Sequence, residues 1–213
     1  MLLTSTEAAA IESRVAKLEA ERGVEVVTLL TRKSDVYPEV VWKAFAFGAA
    51  LSGLAVALAD LAFPVWTAAA LVLTSVLLVL GAGAACAVAA VFVPAVTRLF
   101  LRESRIALET EQYAKAQFLD RELFATRERT AILLLVSLLE RRVVVLADAG
   151  LRARTTAADW DGVIGRMTAP LRSGRRGEAV LAGLDAIDEL LARLGIARGA
   201  GTMFGDRPIE ADR

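Results

Sequence analysis

The chain has 213 residues, 25 basic and 25 acidic side chains, no His and one Cys, and 56% of it is apolar, with a mean hydropathy of +0.52. That length fits one domain with an accessory element, and the apolar share exceeds the roughly 45–50% of ordinary soluble domains. The balanced charge argues against a nucleic-acid partner, the lack of His removes Ser-His-Asp triads and His-ligated zinc, and a lone Cys forms neither an internal disulfide nor a Cys-x-x-Cys pair.

In chain order, residues 5–22 are predicted to form a helix with Ser5 or Thr6 as N-cap. Ile11, Val15 and Leu18 recur at helical spacing, and Gly23 is the stop. Glu25–Leu30 is rich in β-branched and aliphatic residues and reads as a short strand. Ser34–Pro38 is a turn. From Ala44 to Thr97 the single charged side chain is Asp60. A bilayer-crossing helix takes about 20 apolar residues, so two spans fit, near Val41–Leu61 and Val65–Val93, separated around Pro64. Trp42 and Trp66 stand at span ends, where amphipathic rings favour the interface. The alternative is a buried helical hairpin in a soluble protein. Gly81, Ala85 and Ala89 recur every four residues and permit close packing against the first span, the favoured use, or against another copy of the chain. Asp60 needs no role beyond an interfacial one.

Arg32, Lys33 and Lys43 precede the first span, and Arg98, Arg102 and Arg105 follow the second, whereas the loop between has neither Lys nor Arg. The positive-inside bias then puts both termini in the cytoplasm, with a two-span hairpin in the inner membrane. A single helix is predicted from Arg98 to about Arg127, which sets Arg98, Arg102 and Arg105 on one face. They can meet lipid headgroups, or simply be solvated.

Arg129–Leu138 and Val143–Ala147 are two aliphatic runs around a charged turn at Glu140–Arg142, the pattern of a hairpin buried on both faces. Thr155 or Thr156 caps the next helix, and Pro170 ends it or starts a turn. Glu178–Leu194 is amphipathic, with Val180, Leu181, Leu184, Ile187, Leu190, Leu191 and Leu194 on its apolar stripe. From Gly195 the Gly-rich tail is expected to be poorly ordered. The expected fold class is α/β: a small mixed sheet of three to four strands between helices. Its parts are 1–39, the hairpin 40–96, the remainder 97–195, and a flexible tail 196–213.

In an antiparallel hairpin the start of one arm lies beside the end of the other, which brings Glu128 and Arg129 toward Asp148. Asp159 and Asp161 on the next helix can reach the same rim. Asp148, Glu128, Asp159 and Asp161 together would suit Ca²⁺ or Mg²⁺, which take carboxylate oxygens. The alternative is structural: Asp148 ordering a turn, Asp159 at a helix N-terminus and Asp161 in solvent. Arg127, Arg129, Arg152 and Arg154 nearby could instead attract an anion such as phosphate.

The run RTAILLLVSLLERRVVVLADAGL (Arg129–Leu151) resembles the central hairpin of the TPM-domain family. Ile11–Glu39 resembles that family's opening helix and strand, and Trp160–Gly195 is similar to its two closing helices. The resemblance implies a three-layer α/β fold, often membrane-attached, with phosphatase activity in one member, receptor modulation in others, and a divalent ion at an acidic cluster in some. Many members carry an Asp-Asn-Gly turn before the first hairpin arm; here it reads Arg127-Glu128-Arg129-Thr130-Ala131. The expected function is therefore a non-enzymatic binding or regulatory module in the bilayer, with another membrane protein as its partner. The alternative is a divalent-metal-dependent phosphatase working at Asp148.

Overall fold

A computed structural model describes residues 2–62, 68–126, 128–196 and the backbone course of 209–211. Two compact units divide the chain: Met1–Asp35 with Ala107–Arg213, and Val36–Ile106.

The first unit is built on two strands, β1 (Glu25–Thr31) and β2 (Ala131–Ser137), which pair in parallel from Glu25 opposite Ala131 to Thr31 opposite Ser137. Every side chain of both strands is buried. β3 (Arg142–Ala147) pairs antiparallel with β2, and β4 (Ile209–Ala211) pairs parallel with Leu29–Thr31, giving the mixed order β3-β2-β1-β4. The α/β expectation is thus met with four strands. The tail differs from expectation, since three of its residues join the sheet. A three-residue strand is too short to carry a periodic signal, and its attraction is the open backbone edge of β1.

Alternation along the strands divides the core into two layers. Val26, Leu30, Ile132, Leu134 and Val136 face three helices: α1 (Ser5–Arg22), α7 (Ala157–Arg172) and α8 (Arg176–Arg193). Val27, Leu29, Ala131, Leu133 and Leu135 face Tyr113 and Ala114 of α5 (Glu103–Asp120) and Leu123 of the 3₁₀ turn Leu123–Ala125. Helix, sheet and helix make three layers. The N-cap of α1 is Thr4 rather than Ser5 or Thr6: its hydroxyl accepts the Glu7 N–H, and the Glu7 carboxylate accepts the Thr4 N–H, a reciprocal box that fits one residue earlier. Gly23, at φ 66°, closes that helix. Pro170 lies inside α7, which continues to Arg172.

α1 is fastened to α8 by charge. Arg14 donates to Asp185 at 2.7 Å and to Asp188 at 2.8 Å, and Arg22 donates to the other Asp188 oxygen at 2.6 Å. Burial works to raise the Asp188 pKa, but the hydrogen bonds and charges of Arg14 and Arg22 outweigh it, and the net shift is downward.

The second unit contains α2 (Pro38–Ala62), α3 (Ala68–Phe92) and the short α4 (Pro94–Phe100). α2 and the Val72–Phe92 stretch of α3 have mean hydropathies of 1.8 and 2.4, long and apolar enough to cross a membrane. Leu51, Leu54, Leu58, Leu73 and Leu77 are exposed on their outer faces. The small residues that bring α2 and α3 together are Gly48, Ala82, Gly83 and Cys86: a Cβ on Gly48 would stand 2.7 Å from the Ala82 oxygen, and one on Gly83 2.9 Å from the Phe45 ring. The Gly81–Ala85–Ala89 stripe is a different face, with open space beside Gly81. Packing within the hairpin, the favoured use of that stripe, therefore falls to a neighbouring row: several small-residue rows run along α3, and the position of α2 selects among them. The single helix expected from Arg98 is also interrupted, because Leu101 is extended (φ −86°, ψ 134°) between α4 and α5. Arg98 lies on α4, while the Arg102 carbonyl accepts from Arg105 and Ile106 at the start of α5, so the three arginines share no continuous helical face. Pro64, Trp66 and the inter-span turn lie outside the described residues.

Two outcomes are expected. A group whose folded pKa lies below its unfolded value stabilises above that value and loses its effect as pH falls. Stability should therefore drop as pH falls below about 3.8, and Asp188→Asn should cost about 1–3 kcal/mol at neutral pH while flattening the acid limb in pH-dependent unfolding. Gly48→Leu should overpack α2 against α3 and cost about 1–3 kcal/mol, read as a lower unfolding midpoint in mild detergent.

Candidate functional site: the rim at the end of the hairpin

At the rim where β2 begins, β3 ends. Asp148 donates its backbone N–H to the Ala131 carbonyl at 2.9 Å, the last rung of the antiparallel ladder. It then serves as N-cap of the four-residue α6 (Ala149–Arg152), its Oδ1 accepting the Ala149 N–H at 2.7 Å. The Asp148 side chain is 2% exposed. Both its oxygens also accept from Arg129: Nε to Oδ2 at 2.7 Å and a terminal nitrogen to Oδ1 at 2.9 Å. This two-pronged pairing matches the planar guanidinium to the planar carboxylate.

The loop before β2 is shaped to deliver that arginine. Arg129 has φ 56°, in the left-handed region that costs a non-glycine residue energy. Its N–H donates to the Thr126 carbonyl at 3.1 Å, the Thr130 N–H donates to the Thr126 hydroxyl at 3.1 Å, and the Gly150 N–H donates to the Arg129 carbonyl at 2.9 Å. Gly150 must lack a side chain, since a Cβ there would meet the Glu128 carbonyl and lie 2.8 Å from that of Arg129. The guanidinium carbon stands 5.9 Å from the centre of the Phe124 ring, within cation–π range. The hydrogen bond to Asp148, with its charge, raises the Arg129 pKa against a smaller opposing effect of burial.

The other predicted ligands are deployed elsewhere. Asp159 closes the N-terminal box of α7, accepting from the Thr156 hydroxyl at 2.7 Å and backbone at 2.9 Å, and pairs with Arg193 at 2.6 Å. Those Thr156 bonds, then Arg193, hold its carboxyl below the usual range although slight desolvation acts in the opposite direction. Asp161, two residues further along α7, is exposed, as is Glu128. Among the described residues no three Asp, Glu, Cys or His side chains converge on a point. Asp148, Glu128, Asp159 and Asp161 therefore do not assemble into a cation cage, because capping and ion pairing already occupy Asp148 and Asp159. The donor set does not fit Ca²⁺ or Mg²⁺.

The opposite end of the hairpin holds a group that sequence reading missed. Glu140, read as part of a charged turn, is 7% exposed. It accepts the Ser34 N–H at 2.8 Å and the Ser137 hydroxyl, while the Ser34 hydroxyl donates to that of Ser137 at 3.0 Å. The signal available was register: Ser137 ends β2 opposite Thr31, which brings Ser34, three residues past β1, and Glu140, three residues past Ser137, to the same end of the sheet. Of the interface candidates, Trp42 is 73% exposed, Lys43, Arg102 and Arg105 are exposed, Arg98 is half-buried, and Arg105 is 3.5 Å from Glu39.

The family model of the TPM domain matches residues 87–190, from within α3 to near the end of α8 and including the whole rim. That match covers just under half of the chain. Its fold is similar to the NMR structure of the BA42 protein from the psychrophilic bacterium Bizionia argentinensis, with a TM-score of 0.59 and 11% identity over 99% of this chain and 97% of that one. At that identity the likeness concerns the fold. No curated protein matches the chain. The TPM-domain match begins after α1 and β1, yet β1 is the strand on which β2 pairs.

The close approach at Gly150 gives a direct test of the rim. Gly150→Ala should force the 128–129 backbone away and cost about 1–3 kcal/mol, seen as a lower unfolding midpoint, whereas Gly162→Ala, in open space on α7, should be neutral or stabilising.

Proposed function

We propose that the protein is a membrane-anchored TPM-domain module that binds or regulates another membrane component and carries out no hydrolysis itself. The observation that supports this reading is the commitment of the rim carboxylates: Asp148 to Arg129 and α6, Asp159 to Thr156 and Arg193. A phosphatase needs a group free to activate water or hold a metal, and a carboxylate locked to a guanidinium does neither.

In this reading α2 and α3 cross the inner membrane. Their exposed leucines, costly in water, gain a matching apolar solvent in lipid. Lys43, Arg98, Arg102 and Arg105 flank the spans and favour the cytoplasmic side, which puts both termini and the TPM domain there. Trp42 sits at the same level. The partner is another membrane protein, since zero net charge offers nucleic acid no attraction.

Purified protein in mild detergent should release no phosphate from an aryl phosphate beyond the Asp148→Asn variant, with Ca²⁺, Mg²⁺, Mn²⁺ or chelator present. Metal-dependent turnover that Asp148→Asn abolishes would replace the binding role with the phosphatase one. Crosslinking in native membranes should trap a defined partner. Tags at both termini should resist protease added outside intact cells; cleavage of either would reverse the orientation.

A further inference from the structure

We infer that Arg129 is the resident cation of the rim: its guanidinium takes the place that the TPM resemblance gives to a divalent ion, and this chain holds its rim without metal. Asp148 is nearly sealed from water, and a buried carboxylate demands a positive partner or enough hydrogen-bond donors to replace its hydration. Arg129 supplies the charge through two bonds, at 2.7 and 2.9 Å, and the Ala149 N–H supplies a third donor at 2.7 Å. A divalent ion drawn to Asp148 would have to displace a guanidinium of like sign. It would also find too few further oxygens, since Ca²⁺ takes about six to eight and Mg²⁺ six. Glu128 is exposed, Asp159 is paired with Arg193, and among the described residues no three carboxylates converge.

The loop's construction argues that this pairing is built in. Arg129 accepts a left-handed φ of 56°, a conformation Asp, Asn or Gly would adopt more readily. That cost is offset where the residue's side chain does something those residues cannot. Thr126 fixes the loop from one side, and the side-chain-free Gly150 lets the 128–129 backbone close over α6 from the other. Phe124 offers its ring to the guanidinium. Each contact orients the charge toward Asp148.

The test is thermal unfolding of the full chain in mild detergent, with chelator or with millimolar Ca²⁺, Mg²⁺ or Mn²⁺. The wild-type midpoint should move by less than about 1 °C across these conditions, because a ligand that does not bind the native state shifts nothing. Arg129→Asp, which sets two carboxylates together in a loop conformation Asp tolerates, should lower the midpoint by about 5 °C in chelator and regain part of it, saturably, with Ca²⁺ or Mn²⁺. A wild-type midpoint that rises saturably with metal and falls with chelator would overturn the assignment. So would an Arg129→Asp protein that folds but ignores metal. If Arg129→Asp does not fold, the wild-type titration alone decides, with Arg129→Lys as a charge-preserving variant expected to be equally indifferent to metal. Neither arm reads turnover or partner capture, so failure here is separate from failure of the binding role.

Discussion

The parallel pairing of β1 with β2, buried on both faces along its whole length, is the constraint to which the other features answer. A strand covered on both sides leaves no room for solvated chemistry along its course, so charged groups are driven to its ends, as Glu25 is in β1. A parallel pair also requires a crossover of a dozen or more residues, whereas an antiparallel pair can close with a two-residue turn. The connection between β1 and β2 is where this chain places α2, α3 and α4. The sheet therefore tolerates a long apolar insertion there, since the register from Glu25–Ala131 to Thr31–Ser137 depends on strand pairing and not on how far the chain travels between them.

The two ends of the hairpin solve the same problem differently. At one end a buried carboxylate, Asp148, is balanced by the fixed charge of Arg129. At the other, Glu140 is held by hydrogen bonds from the Ser34 backbone and the Ser137 hydroxyl. The Leu138 and Leu139 N–H groups donate to the carbonyls of Thr31 and Arg32, so the end of β1 and the β2–β3 turn are joined by backbone as well as side chains. The segment Thr31–Ser34 is thereby fixed to the sheet.

Much of this was legible in the sequence, and what was not has physical causes. β1 and β2 are visible because strands buried on both faces are rich in aliphatic residues, and the α8 stripe because one apolar helix face repeats at Val180, Leu184, Ile187 and Leu191. β3 is just as aliphatic and reads as buried on both faces, but it is a half-buried edge strand in the order β3-β2-β1-β4, because composition does not say which strand of a sheet lies outermost. Antiparallel geometry alone was enough to bring Glu128 and Arg129 near Asp148. Sequence proximity did not say what the groups would do on meeting. A carboxylate in a sequence can be a ligand, a cap or half of an ion pair: here Arg129 reaches Asp148, Thr156 holds Asp159, and Asp161 faces water. The break at Leu101 lacks a Gly or Pro to announce it, and the packing row of α3 depended on where Gly48 of α2 would arrive.

The rim argues about function through its economy of charge. A site that turns over substrate keeps at least one ionisable group under-committed, able to exchange a proton or a ligand at modest cost. Here the carboxylates best placed to act are engaged: Asp148 in three bonds, Asp159 in a capping box and an ion pair, Glu140 between two serines. Removing any of these partners would leave a buried or constrained anion, which is why such arrangements favour a fixed conformation over chemistry. A domain whose charges are spent on holding its own shape is suited to presenting a constant surface to a neighbour.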